Sequence, residues 1–180
     1  MKKTFITLIS LIFLLFVFVT HVQASNNISF PKQYRGTWYN YDNSEYFSSF
    51  NKIVISKNKM YSYSAMKDKE TKKTDVHKGY SYLHKNRKHK RSGVSQKTIN
   101  KYINWMTRDF VKNVHGYNWM HTYGWMQVAG AGEYYNVHKF KNRQVLTAAS
   151  SANVIVDGHY YHSKKIAKKL ESKKYKGFLY

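Results

Sequence analysis

No cysteine occurs anywhere in the 180 residues, and Pro31 is the only proline. Without cysteine there is no disulfide framework, no thiolate zinc site, no cysteine nucleophile and no lipid-modified N-terminal cysteine. Acidic residues are scarce too: nine Asp and Glu stand against 31 Lys and Arg, a formal net charge of +22 with His neutral. The acids are scattered singly, and Asp68 and Glu70 fall in a lysine-rich stretch. The length fits one domain rather than two.

The longest uncharged apolar run is N-terminal. Met1-Lys2-Lys3 forms a basic start, and 13 of the 17 residues from Thr4 to Thr20 are Phe, Ile, Leu or Val. His21-Val22-Gln23-Ala24-Ser25 follows, and Val22-x-Ala24 offers the small-residue pattern that signal peptidase reads. Residues 1–24 are therefore read as a signal peptide and residues 25–180 as one secreted domain. An uncleaved N-terminal anchor is the alternative, since seventeen residues just suffice for a tilted span. The lysine-bearing start and the cysteine-free exported chain suit a Gram-positive bacterium.

Without Lys2 and Lys3 the exported chain carries +20 on 156 residues. Leu, Ile, Val and Phe make up only about 17% of it, a composition that at high charge warns of disorder. The warning is answered by 17 Tyr and 4 Trp, since each buried aromatic removes roughly 150–250 Å² from water. An aromatic, partly polar core suits a small β structure.

The hydrophobic pattern is mostly two-residue. Phe50 to Lys57 and Met60 to Met66 read as strands joined by a tight turn at Asn58-Lys59. Tyr61, Tyr63 and Ala65 share one face of the second strand, Met60, Ser62, Ser64 and Met66 the other. Val76 to His84 is a further strand, with Val76, Tyr80 and Tyr82 on one face, and residues 67–73 form a solvated loop. From Ser95 to Val111 the period changes: Ile99, Ile103, Met106 and Phe110 recur at helical spacing, which predicts a helix, although Trp105-Met106-Thr107 also suits a strand. Tyr117, Trp119, His121, Tyr123 and Trp125 then alternate strictly and predict a strongly aromatic strand face, with a bend at Gly130-Ala131-Gly132. Glu133 to Phe140, Gln144 to Ala149 and Asn153 to His162 follow as strands. Ser163 caps a short helix with Ile166, Ala167 and Leu170 inward, and Tyr175 to Tyr180 can add a last strand. The expected fold is mainly β: a small antiparallel β-barrel or strongly curved sheet, lipocalin-like, with one helical insertion and a short C-terminal helix. An open antiparallel sheet with one helix packed on it is the alternative.

Two resemblances attach to these residues. Gly36-Thr37-Trp38, preceded by Arg35, resembles the G-x-W element of the lipocalin and calycin barrels. That resemblance implies that Trp38 closes one barrel end under a basic side chain, for which Arg143 or a lysine of the C-terminal helix is available. The second lipocalin element, a Thr-Asp-Tyr type turn, is missing. Pro31 to Tyr39, Leu146 to Ala149, Asp157 to Tyr161 and Ser163 to Lys169 together resemble small secreted proteins of lactic-acid bacteria with a P-x-x-aromatic-R-G-T-W-Y start. That resemblance implies an extracellular or wall-associated address and no particular chemistry.

The signals for catalysis are weak. Glu133 and Asp157 lie on predicted strands and are the acids expected to be buried, each as a structural partner of a Lys, Arg or Tyr hydroxyl. A glycosidase-like pair is the competing reading, because such partners meet in space rather than in sequence. His159 and His162 have H-x-x-H spacing, but on a strand they point to opposite faces, and no H-E-x-x-H occurs. There is no G-x-S-x-G elbow and no phosphate loop. No metal or cofactor is called for.

What stands out is positive charge. Lys85, Arg87, Lys88, Lys90 and Arg91 crowd one loop, and Lys164, Lys165, Lys168 and Lys169 line the outer side of the last helix. A field of this size attracts polyanions over about 8 Å at physiological ionic strength. For an exported protein those are anionic cell-wall polymers or an anionic membrane surface, and nucleic acid is not a physiological partner. The expectation is a secreted, non-enzymatic, cell-wall or surface-associated binding protein held by its basic surface. A lipocalin-like carrier of a small apolar ligand is the alternative, and a wall-acting hydrolase the second.

Overall fold

The computed structural model describes residues 28–85, 93–125, 127 and 131–180. Residues 1–24, read above as a signal peptide, and Arg87, Lys88, Lys90, Arg91 and Gly130 lie outside them.

Nine strands run in chain order around one sheet. They are β1 (Gly36–Asn43), β2 (Phe47–Ile55), β3 (Lys59–Asp68), β4 (Thr74–Leu83), β5 (Trp105–Val114), β6 (Tyr117–Gly124), β7 (Glu133–Phe140), β8 (Arg143–Ser150) and β9 (Ile155–Tyr160). Helix α1 (Gln96–Tyr102) lies in the β4–β5 connection, and α2 (Lys164–Lys169) follows β9. The sheet curls into a nearly closed barrel, because Tyr39 of β1 bridges Tyr161 just past β9. Each backbone N–H of that bridge donates to the other's carbonyl at 2.8 Å. Closure leaves few unpaired strand edges in a chain rich in exposed tyrosine.

All neighbouring strands are antiparallel except β4 and β5, which pair in parallel over only Tyr82↔Trp105 and Leu83↔Met106. Thr74 to Tyr80 of β4 are exposed. The short parallel seam is thus where the barrel is least closed.

Strand register decides which side chains point inward. Trp38, Ile53, Ile55, Met60, Leu83, Met120, Tyr135, Leu146 and Ala148 form one buried cluster inside the barrel, completed by Phe30 and Tyr34 from the segment before β1. That segment crosses one barrel end. Phe30 N–H donates to the Lys57 carbonyl at 2.8 Å, Arg35 Nε to the Phe30 carbonyl at 2.8 Å, and Arg108 Nε to the Ser29 carbonyl at 2.9 Å. Trp38 is fully buried and its Nε1–H donates to the Tyr34 carbonyl at 2.9 Å. The ring stacked on it, at 3.7 Å, is that of His162. His162 Nδ1 also bonds the Thr37 carbonyl at 2.9 Å, and a side chain at Gly36 would meet the His162 ring at 3.1 Å. The Arg-Gly-Thr-Trp run therefore ties the barrel's first strand to its end plug and to the residues after β9. The cap on Trp38 is a histidine, where Arg143 or a helix lysine was expected.

Two further clusters lie outside the sheet, covered by the C-terminal residues. Trp119, Tyr134, Ala149, Val154 and Val156 pack with Phe178, and Val145, Tyr161 and Ala167 pack with Ile166 and Leu170. Ser163 caps α2, its Oγ accepting from Ile166 N–H at 3.4 Å. The final residues form no strand. Instead Phe178 stacks on Tyr117 at 4.2 Å and Tyr175 on Phe140 at 3.7 Å, while Val156 N–H donates to the Leu179 carbonyl at 2.8 Å.

One expectation is corrected here. The helix read from Ser95 to Val111 stops at Tyr102, and its stripe is not a core face: Ile103 is 68% exposed and Phe110 48%. Trp105 to Val114 instead pairs with β6, so cross-strand pairing overrides the local helical period. On β6 the aromatic face expected from the alternation lies outside at Tyr117 and Trp119, which pack with Phe178, while Met120 and Thr122 face inward.

Candidate functional site: a half-polar cavity in the barrel

The inward positions change character along the barrel. At the plugged end they are large and apolar. Toward the other end β3 and β4 contribute Ser62, Ser64, Gly79 and Ser81, while their tyrosines, Tyr61 and Tyr80, pack against each other at a tilt, 4.8 Å apart, outside. Small inward residues leave space. A cavity of about 830 Å³, open to solvent, occupies this part of the barrel.

One wall is Asn51, Ser62, Ser64, His77, Gly79 and Ser81. The facing wall is Glu133, Tyr135, Asp157 and Tyr160. Ile53, Met60 and Ala148 mark the join with the apolar core, and Tyr102, Trp105 and Trp125 line the rim.

Hydrogen bonds hold the polar wall rigid. Ser64 Oγ–H donates to Asn51 Oδ1 at 2.7 Å, Asn51 Nδ2 to Asn40 Oδ1 at 3.0 Å, and Asn40 Nδ2 to the His159 carbonyl at 3.0 Å. This chain crosses four strands and the β9–β1 seam. The buried Asn40 amide helps fix the barrel's closure, because its bond to the His159 carbonyl crosses the seam and would be lost if the seam opened.

Backbone irregularities place both carboxyls. Gly132 has φ +103, and a side chain there would come within 2.2 Å of the Thr122 carbonyl oxygen. Only glycine lets the chain press against β6 and turn into β7 with Glu133 beside Thr122 on the inner side. On β9, Ala148 pairs with Gly158 and Ala149 with Val156, so Asp157 is the extra residue of a bulge. A bulge re-aims its side chain, and the Asp157 carboxylate turns to accept from Ser150 Oγ–H at 2.9 Å.

Both acids line the cavity and are exposed there, where burial was expected of them: the cavity is open to solvent and no described side chain covers them. Partial desolvation by the surrounding protein, with the negative Asp157 second, pushes the Glu133 carboxyl up to about 7. Partial desolvation raises Asp157 as well, partly offset by the Ser150 hydrogen bond. The Tyr135 and Tyr160 phenols are pushed upward by burial and by both carboxylates. Neither acid has the basic or tyrosyl partner expected for it among the described residues. The one ion pair between described residues is Lys168 with Glu171, at 2.7 Å.

Of the basic residues singled out in the sequence, Lys85 is exposed at the end of β4. Lys164, Lys165, Lys168 and Lys169 are all exposed on α2, but they are not alike. Lys164 lies over Tyr39 and Phe50 at 5.6 and 5.4 Å, and Lys168 over Tyr41 at 5.5 Å. These two spread along aromatic rings of the outer sheet face. Arg35, Gly36, Thr37 and Trp38 serve the barrel end, away from the cavity wall.

His159 and His162 also separate. His159 is buried between Thr147 Oγ1 at 2.8 Å and the Tyr180 hydroxyl at 2.7 Å, whereas His162 stacks on Trp38. Sequence reading missed Tyr135, Tyr160 and the serine wall as a site. The signal was present in the alternation of Ser62 and Ser64 against Tyr61 and Tyr63, although nothing local says which side the barrel encloses.

The chain matches no protein-family model, no curated protein and no solved structure.

Proposed function

We propose that this is a secreted, non-enzymatic binding protein whose barrel cavity takes one small molecule with both apolar and polar parts. The observation that carries this reading is the cavity itself. Its volume of about 830 Å³ lies in the range of small-molecule sites. Its lining supplies aromatic rings at the rim and a few fixed polar groups inside, the combination that orients a bound molecule. A wholly apolar ligand fits less well, because it would take water from the Glu133 carboxyl and leave Asp157 with the Ser150 hydroxyl alone. The Gly-Thr-Trp start resembles that of ligand-carrying barrels and supports the same reading. The apolar N-terminal segment supports export.

The test is a titration of the purified protein with the neutral fluorophore N-phenyl-1-naphthylamine. Saturable enhancement at one equivalent is expected. No enhancement, or unsaturable enhancement, contradicts the reading.

A second role is compatible with the first. The +20 of the exported chain and the exposed lysines of α2 favour attachment to anionic wall polymers or an anionic membrane surface. The outer face would then hold the protein in place while the cavity binds.

A further inference from the structure

The cavity wall carries two carboxyls in a strongly basic chain, and neither forms an ion pair among the described residues. Glu133 and Asp157 lie on the strands flanking β8, whose Ser150 bonds Asp157 at 2.9 Å. Beside them is a phenol that is 5% exposed, Tyr135, whose one hydrogen-bond contact is the Met60 sulfur at 3.9 Å. A thioether is a weak acceptor, so a hydroxyl nine-tenths buried and lining the cavity has no oxygen or nitrogen partner. Tyr160 lines the same wall.

Both carboxyls are exposed along the open cavity, and among the described residues the Ser150 hydroxyl is the one side chain that bonds either of them, so both are open to a cation that enters. Across the cavity stand His77 and Lys78 of β4, and neither forms an ion pair with the acids. The outer surface is strongly basic, so an acidic inner wall is a local reversal of sign that no bulk property of the chain explains. At the rim, Tyr102, Trp105 and Trp125 offer ring faces, which favour apolar groups and cations alike.

Resting on the reading of the cavity as a ligand site, we propose that its ligand is a small organic cation: a protonated amine on a short apolar body. The ammonium meets Glu133 and Asp157, and the body lies toward the rim aromatics. An ammonium has three donors, enough for both carboxyls and the Tyr135 or Tyr160 oxygen.

The experiment is calorimetric titration of the purified protein with three probes of one shape: 4-phenylbutylamine, 4-phenyl-1-butanol and 4-phenylbutyrate. The amine is expected to bind at least tenfold more tightly than the alcohol, and the carboxylate most weakly. In the double variant Glu133→Gln/Asp157→Asn the amine should lose at least tenfold while the alcohol changes less than threefold. The amide variants keep the shape of the wall and remove only charge, and circular dichroism checks that the fold is retained. Equal binding of amine and alcohol to the unaltered protein overturns the cationic ligand while leaving the cavity reading intact. An equal loss of both in the double variant assigns the carboxyls a structural role and overturns it too. So does the absence of binding by all three probes, and the neutral-fluorophore titration then decides the cavity reading separately.

Discussion

Acid should loosen the C-terminal residues from the barrel through His159. This imidazole is buried, bonded through Nδ1 to Thr147 Oγ1 at 2.8 Å and through Nε2 to the Tyr180 hydroxyl at 2.7 Å, with the Tyr175 ring edge-on at 4.8 Å. Burial, with His138 nearby second, drives it down from 6.5 to about 3. The folded protein therefore keeps His159 neutral while the unfolded chain takes up a proton below about 6.5. Its contribution is fully present above that pH and is lost as pH falls toward 3. Each unit of difference is worth about 1.4 kcal/mol, so two units, from 6.5 to 4.5, remove about 2.7 kcal/mol. His138, lowered to about 4 by burial, acts in the same direction. Glu133 opposes both: raised to about 7, it favours the folded state at low pH, and that advantage is lost as pH rises through 7. The variant His159→Gln isolates the term, since Gln keeps one donor and one acceptor but does not titrate. Urea unfolding followed by tryptophan fluorescence at pH 7.5 and 4.5 should show a loss between the two pH values about 2–3 kcal/mol smaller in the variant than in the unaltered protein. At pH 7.5 the variant should cost only about 1 kcal/mol. If both proteins lose the same stability on acidification, His159 is not held neutral by burial and the reasoning fails.

Gly132→Ala should destabilise by about 2–4 kcal/mol, because it adds both a strained backbone angle and a clash with the Thr122 carbonyl. Thermal melting would report this as a midpoint lowered by about 6–12 °C, and an unchanged midpoint would mean that β7 does not enter along β6 as described. Attachment by charge predicts that washing cells with roughly molar salt, where screening acts over about 3 Å, releases the protein. Retention at that salt, with the first 24 residues shown to be removed, would end that reading.

Much of the architecture is legible in the residues themselves. Glu133 to Phe140 reads as a strand with the bounds it has, the turn at Asn58 closes β2 on β3, and Ser163 caps α2. These features are local: alternation, a turn and a cap each lie within a few residues. What was not legible depends on distant partners. The period of Ile99, Ile103, Met106 and Phe110 is helical, yet β6 claims the second half of it as a strand. The alternation on β6 marks an aromatic face without saying what covers it, and at Trp119 the cover is Phe178, some sixty residues away along the chain, outside the barrel. The same ambiguity hid the cavity. Alternation separates two faces of a strand and cannot say which is enclosed. Glu133 and Asp157 were singled out as the acids worth attention. Their meeting depends on a glycine before β7 and a bulge in β9, neither of which changes the two-residue pattern that a sequence displays.

The central claim is that a ligand enters the barrel between the serine wall and the carboxyl wall. Gly79 lies on that wall, and a side chain added there meets nothing within 4 Å. Gly79→Trp should therefore fill the cavity without disturbing the strands. The decisive measurement is the affinity of N-phenyl-1-naphthylamine for this variant beside the unaltered protein, at matched thermal stability. The account predicts a loss of at least tenfold. Undiminished binding would place the dye outside the barrel and contradict it.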